Sequence, residues 1–107
     1  MWGVPTTELW LVSGPVYFGT LMIRHMLTPR LRRDGGHIGY NVVPEHRRRG
    51  YATAMLGSAC ALCRQRGMPE LLLTCAEENI GSRRVIEANG GTPDAVTDGT
   101  CHYLIRL

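Results

Sequence analysis

The sequence predicts an α/β (α+β) fold with seven elements in the order βββαβαβ, arranged as one mixed sheet with helices packed on it. Three observations support this prediction. Two apolar segments separated by Ser13-Gly14-Pro15 have the composition of an antiparallel hairpin. An alternating strand at 37–43 is followed directly by a helical pattern, and a short apolar segment at 70–76 comes next. A strand, a helix and a strand in this succession form a right-handed crossover, so strands 37–43 and 70–76 are expected to be parallel.

The first part of the chain is expected to form the hairpin and a connection. Its strands are predicted at 6–12 and 16–27. Gly19 lies inside the second strand and indicates a bulge or a close backbone neighbour. Residues 28–36 are rich in arginine and glycine, and they are expected to form an exposed connection to the next strand.

The second part of the chain contains the helices. A helix is predicted from about residue 50 to 66, because its apolar residues recur at helical spacing and Gly67 with Pro69 is a typical stop signal. The remaining elements, in chain order, are a strand at 70–76, a short helix at 81–89, a loop at 92–99 and a strand at 101–107.

Length and composition indicate one globular domain. The chain has 107 residues, and residues 1–107 are expected to form a single domain. No apolar run is long enough to cross a membrane, and the first residues lack the basic and hydrophobic regions of a secretory signal. We therefore expect a cytoplasmic protein without a membrane partner.

Charge and cysteine content raise two further possibilities. The net charge is +3, and all 12 basic residues are arginine, which favours contact with phosphate or carboxylate. Nucleic acid is not the expected partner, because aromatic residues are not interleaved with the arginine clusters. Cys60 and Cys63 have the spacing of a zinc or redox pair, but both fall on the apolar side of the predicted helix and no second pair follows. No metal site is predicted.

The stretch from Gly36 to Thr53 is the most informative part of the sequence. A strand ends at Pro44, a basic turn follows, and Gly50 precedes the helix. A helix N-terminus presents unsatisfied N–H groups and a positive dipole end. Together with the neighbouring arginines it predicts a phosphate or pyrophosphate site. The alternative is an ordinary solvated basic turn.

Two motifs here resemble those of the GNAT N-acetyltransferases. Arg47-x-x-Gly50-x-Ala52 is similar to their (Gln/Arg)-x-x-Gly-x-(Gly/Ala) signature, and Asn79 to Gly91 resembles their second cofactor segment. The resemblance covers roughly residues 6–107. It is strongest to an uncharacterised group of predicted acetyltransferases that has an Arg-His pair followed by Gly-Gly-His-Ile-Gly-Tyr, as in Arg24-His25 and Gly35 to Tyr40.

The resemblance implies a splayed pair of parallel strands that holds acetyl-CoA, the co-substrate of an N-acetyltransferase. Backbone groups of Tyr40, Asn41 and Val42 would pair with the pantetheine amides. N–H groups from Arg48 to Thr53 would hold the pyrophosphate, and Asn79 would reach the pantetheine arm or simply cap the next helix. The residues that the resemblance assigns to the cofactor are Tyr40, Asn41, Val42, Arg47, Arg48, Arg49, Gly50, Tyr51, Ala52, Thr53, Asn79 and Ser82.

The catalytic pattern of the family is incomplete in this sequence. The tyrosine that often stands seven residues after the motif asparagine is replaced by Ile86, and Thr74 stands where other members have a glutamate. His37 is a candidate base because its ordinary pKa lies near neutrality, although an ordinary strand histidine is the alternative. Tyr40 is a candidate acid. The acceptor is expected to be a primary amine of a small molecule or a protein.

Proteins of this family usually have an opening strand and two helices before the hairpin, whereas this sequence is expected to start at about their second strand. Their absence is expected to leave a sheet face and an edge uncovered, so we predict a homodimer. Two other functions compete with the enzyme. One is a non-catalytic acyl-CoA-binding or regulatory module of the same fold, and the other is a small basic nucleic-acid-binding protein.

Overall fold

The structure is a computed structural model that describes residues 5–42, 47 and 50–107. Its elements in chain order are β1 (Thr6–Ser13), β2 (Val16–Arg24), α1 (Pro29–Arg33), β3 (Ile38–Val42), α2 (Tyr51–Gln65), β4 (Glu70–Ala76), α3 (Ile80–Ala88), β5 (Thr92–Thr97) and β6 (Thr100–Arg106). The mixed α/β class predicted from the sequence is confirmed. Within the described ranges, no helix is both long and apolar enough to cross a membrane.

Two elements were not predicted. Helix α1 lies where an exposed connection was expected, because Thr28 caps its first turn by accepting the Leu31 N–H at 3.2 Å and Pro29 suits the first helical position. Strand β5 lies where a loop was expected, and it pairs antiparallel with β6. The turn between them is Asp98-Gly99, both at positive φ, a typical hairpin turn that the sequence already contained.

The strands form two antiparallel sheets rather than the predicted single mixed sheet. The first has the order β1-β2-β3 and the second β4-β6-β5. The expected parallel ladder between β3 and β4 is absent from the described residues, which show an isolated antiparallel bridge from Gly36 to Leu73 instead. Strands β3 and β4 therefore meet at one end and separate beyond it, as the predicted splay requires.

The core lies between the two sheets and α2. Helix α2 buries one stripe at helical spacing, which consists of Met55, Leu56, Ala59, Cys60 and Cys63. These side chains pack with buried residues of both sheets, such as Leu21 and Tyr103. Cys60 and Cys63 thus pack as apolar residues, as their positions in the sequence indicated.

The predicted hairpin of β1 and β2 is confirmed, and Gly19 combines both roles expected of it. The register between the strands shifts between Leu11, which pairs with Gly19, and Val12, which pairs with Tyr17. A Cβ at Gly19 would also collide with the carbonyl oxygen of Asn41 on β3. This glycine therefore allows β3 to lie close against β2.

Candidate active site

A cleft of about 1000 Å³ opens where β3 and β4 separate. One wall is β3 from Ile38 to Val42, and the opposite wall includes Thr74 and Cys75 of β4. The cleft also reaches the first residues of α2 and α3. It is thus bordered by two strand edges and two helix N-termini, which are suited to extended amide chains and to anions respectively.

Contacts of His37 and Gly35 with β4 close one end of the cleft. The His37 N–H donates to the Leu72 carbonyl at 2.7 Å, and the imidazole Nδ1 accepts the Leu72 N–H at 2.8 Å. The Gly35 N–H donates to Thr74 Oγ1 at 2.8 Å. Beyond this contact the described residues of β3 and β4 form no ladder, and the facing edges of the two strands stay open.

The pairing of β3 with β2 decides which backbone groups face the cleft. The Arg24 N–H donates to the His37 carbonyl at 2.7 Å, and Gly39 and Asn41 follow at alternate positions of the same antiparallel register. Backbone groups of Gly39 and Asn41 therefore point towards β2, and those of Ile38, Tyr40 and Val42 point to the open edge.

This register corrects one expectation from the sequence. The backbone of Asn41 is engaged with β2, so it does not offer the predicted main-chain contact to a cofactor, although Asn41 does line the cleft. The Val42 carbonyl, which faces the open edge, already accepts a hydrogen bond from Arg47 Nε at 2.9 Å. The backbone groups of Ile38 and Tyr40 are therefore the main ones on this edge that can form hydrogen bonds with a ligand.

The N-terminus of α2 forms the second part of the site. Gly50 precedes the helix at φ +80 and supplies no side-chain cap, and the first turn contains no acidic residue. The Gly50 carbonyl accepts the Ala54 N–H at 3.0 Å, which is the first turn of the intrahelical pattern. The positive end of the helix dipole therefore faces the cleft, and no carboxylate in the first turn of α2 neutralises it.

The charge of the cleft favours anions. Among the described residues it is lined by three arginines and a single aspartate, namely Arg24, Arg47, Arg84 and Asp34. The sequence motif pointed to Arg47 but not to Arg24 or Arg84, which reach the cleft from β2 and α3. Arg48 and Arg49, also predicted at the site, lie outside the described residues.

Tyr40 crosses the cleft towards α3. Its phenol lies 2.6 Å from Ser82 Oγ, in a hydrogen bond in which either oxygen can donate. Burial raises the pKa of Tyr40, and this outweighs the opposite effect of the Ser82 hydrogen bond. The phenol is therefore protonated at neutral pH and can donate a proton. Burial likewise raises the pKa of Cys75, which lines the cleft nearby and interacts with the same serine.

Asn79 lies at the N-terminus of α3. Its Oδ1 accepts the Ser82 N–H at 3.1 Å, which makes it the helix cap. It also lines the cleft. By capping the helix beside Ser82, it helps to fix the partner of Tyr40.

His37 does not line the cleft. Its side chain belongs to a second cavity of about 510 Å³ that also includes His25, Arg32 and Glu70. Burial is the largest cause that lowers the pKa of His37, followed by nearby Arg32, while Glu70 acts in the opposite direction. The ring is therefore neutral near pH 7 with its proton on Nε2, because Nδ1 accepts the Leu72 N–H. The structure does not bring this candidate base to the site, and its role here is to join the two sheets.

The structure brings ten of the twelve predicted cofactor residues to the cleft. These are Tyr40, Asn41, Val42, Arg47, Gly50, Tyr51, Ala52, Thr53, Asn79 and Ser82. Sequence reasoning did not assign Arg24, Asp34 and Gly35, which line the same cleft. The only signal in the sequence for this part of the cleft was that Arg24-His25 and Gly35-Gly36 match the resembling group of proteins. No spacing rule predicts that residues from β2, the α1–β3 turn and β4 come together.

Comparison with known proteins points to one family. A sequence model described as "Acetyltransferase (GNAT) domain" matches residues 6–92. No protein of curated function matches the sequence significantly.

Solved structures share the fold. The GNAT domain of S. lividans PAT has a TM-score of 0.80 and 21% identity, over 97% of this chain and 62% of that chain. An acetyltransferase from Agrobacterium tumefaciens has a TM-score of 0.74 and 23% identity, over 95% of this chain and 61% of that one. YncA from Salmonella typhimurium, solved with its cofactor acetyl-CoA, has a TM-score of 0.70 and 19% identity, over 86% of this chain and 59% of that one. The chain thus spans about three-fifths of the length of these structures.

Proposed function

The chain belongs to the GNAT acetyltransferase family, and from that premise we propose that it transfers an acetyl group from acetyl-CoA to a primary amine. The observation that supports this most directly is the cleft itself. The open edge of β3 forms one side of the cleft, and the N-terminus of helix α2, which has no side-chain cap, lies at the end of that edge. An extended pantetheine arm and a pyrophosphate need these two features in this order.

The residues present fit acetyl-CoA. Backbone groups of Ile38 and Tyr40 would pair with the pantetheine amides, since these groups face the open edge of β3. The α2 N-terminus from Gly50 to Thr53 would hold the pyrophosphate, and Arg47 and Arg84 add positive charge along the same cleft. The solved structure of YncA, which has the same fold, contains acetyl-CoA as its cofactor.

The proposed chemistry uses few side chains. An N–H group of this strand edge that the pantetheine amides leave unpaired would polarise the thioester carbonyl. The protonated phenol of Tyr40 can donate its proton to a departing thiolate. His37 takes no part, because it lies in the second cavity. The amine can lose its proton to solvent, since positioning alone supplies a large share of the rate in such transfers.

Two linked experiments test the proposal. Calorimetric titration of acetyl-CoA measures cofactor binding, and release of the free CoA thiol over a panel of primary amines measures turnover. We expect saturable binding together with amine-dependent thiol release. Binding without thiol release for any amine would favour the non-catalytic acyl-CoA-binding module, and no binding would refute the proposed cofactor site.

The predicted homodimer is part of the same proposal. The outer face of the β1–β2 hairpin exposes Trp10, Val12, Tyr17 and Met22, which the strand register places on one side of the sheet. Trp10 is 65% exposed and contacts Tyr17 edge to face, with ring centroids 5.9 Å apart. A second copy that covers the turn end of this face, around Trp10 and Tyr17, would remove its apolar surface from water and leave the end at Arg24 open. Light scattering over micromolar concentrations measures the mass, and a monomer throughout would refute the dimer.

A further inference from the structure

We infer that the acceptor is an amine that also bears a carboxylate, of the amino-acid class, and that Arg24 binds the carboxylate. The inference rests on the proposed acetyl transfer and concerns the end of the cleft away from α2. That end is lined by Arg24, Asp34, Gly35 and Thr74.

Arg24 is held firmly at one nitrogen only. Its Nη1 donates to the carbonyls of Gly35 at 3.2 Å and Gly36 at 3.0 Å, which fixes the guanidinium beside the turn that leads into β3. The plane lies against Gly39, where an added Cβ would stand only 3.2 Å from Nη2. The absence of a side chain at Gly39 therefore lets the guanidinium rest on the strand that borders the cleft.

The remaining edge of the guanidinium has no partner in the described part of the chain. No hydrogen bond to Nε or Nη2 of Arg24 is present there, and no carboxylate pairs with the side chain. Arg24 is half-buried and lines the cleft. A partly buried charge is stabilised by a counter-charge, and the Nε–Nη2 edge of arginine matches a carboxylate through two parallel hydrogen bonds.

The position of Arg24 puts its side chain on the face of the sheet opposite to that of Tyr40. Strand alternation puts Arg24 and Met22 on one face of the first sheet, together with Gly39, which pairs with Met22. The Tyr40 side chain points to the opposite face, where Ser82 of α3 covers it. An acceptor can therefore approach from the Arg24 face while the proton donor stands on the other.

Asp34 suggests the second half of the acceptor. Its exposed side chain lines the same end of the cleft and makes no ion pair with Arg24. A ligand with a carboxylate and an ammonium group would satisfy both residues at once, whereas a simple alkylamine would leave Arg24 without a counter-charge. An amino acid combines these two groups in the smallest molecule.

A panel of matched amines tests the inference on the wild-type protein. Each free amino acid is compared with its carboxamide, which keeps the amine and the side chain but removes the negative charge. We expect kcat/KM for thiol release to be about 10- to 100-fold higher for the acid than for its amide. The difference should lie mainly in KM, because the carboxylate does not take part in the bond exchange.

Substitution of Arg24 gives an independent readout. In Arg24→Gln the ratio of kcat/KM for acids to kcat/KM for amides should fall to about one, mainly through a higher KM for the acids. Arg106→Gln removes the same charge at an exposed site and should retain the preference. If Arg24→Gln does not fold, Arg24→Lys keeps a cation without the bidentate edge and should reduce the preference in the same direction.

The outcomes separate the inference from the proposed function. Equal turnover of acids and amides by a wild type that binds acetyl-CoA would overturn the inference and leave the acetyltransferase intact. An acid preference that persists in Arg24→Gln would overturn the role of Arg24. A wild type that neither binds acetyl-CoA nor releases thiol would overturn the proposed function, and the inference with it.

Discussion

Gly50 allows the cofactor site to be tested with two side chains that differ in charge but hardly in shape. It precedes α2 at φ +80, and a Cβ there would meet nothing within 4 Å among the described residues. Asparagine and aspartate are the non-glycine residues that best tolerate this conformation, at a cost of roughly 1–2 kcal/mol or less. We therefore compare Gly50→Asp with Gly50→Asn, each as a folded protein.

The two variants should differ in opposite directions for stability and for binding. Without cofactor, the aspartate faces the positive end of α2, so Gly50→Asp should be more stable than Gly50→Asn by about 0.3–1 kcal/mol. With cofactor, the same carboxylate opposes the pyrophosphate. Two unit charges about 4 Å apart repel by about 1 kcal/mol in water and about 4 kcal/mol at an effective dielectric constant of 20. Acetyl-CoA should therefore bind Gly50→Asp about 5- to 700-fold more weakly than Gly50→Asn.

The measurements are urea unfolding of both variants and calorimetric titration of each with acetyl-CoA. The difference in affinity should shrink as the salt concentration rises from about 0.1 to 1 M, because the screening length falls from about 10 to 3 Å. Equal affinities of the two folded variants would refute the placement of the pyrophosphate at the start of α2.

Three further predictions concern single residues of the site and of the fold around it. Tyr40→Phe should lower the rate of thiol release by about 10²-fold, which is at the lower end of general-acid effects. The affinity for acetyl-CoA should change little. An unchanged rate would show that Tyr40 is not the acid. The pKa of His37 lies below its ordinary 6.5, so its stabilising effect is fully present above that pH and is lost as the pH falls through the lowered value. Urea unfolding should thus show a smaller loss of stability on acidification for His37→Gln than for the wild type, and equal losses would contradict this. Gly19→Ala should destabilise the protein by about 1–3 kcal/mol, because its Cβ meets the Asn41 carbonyl, and it should also weaken acetyl-CoA binding by displacing β3. Unchanged urea unfolding and affinity would show that β3 tolerates the methyl group.

Local sequence patterns were enough to predict most of the elements. The apolar run at Glu70–Ala76 coincides with β4, and the helix predicted from about 50 to 66 is α2. Alternation and helical spacing record which face of a segment is buried, and glycine and proline mark where it ends. For the same reason the motif around Gly50 located the N-terminus of α2, since its conformation depends on neighbours in the chain.

Sheet pairing and the composition of the cleft depended on contacts between distant residues. His37 bonds both backbone groups of Leu72, 35 residues further on, and this contact joins β3 to β4 at one end of the cleft and holds the imidazole in the second cavity. The register between β2 and β3 directs the backbone of Asn41 away from the open edge and lays the guanidinium of Arg24 on Gly39. The sequence by itself determined most of the elements and the start of α2 after Gly50, because these follow from local conformational preference. The tertiary structure alone decided which strand edges stay unpaired and which side chains share the cleft, because those depend on hydrogen bonds between segments whose separation no local pattern encodes.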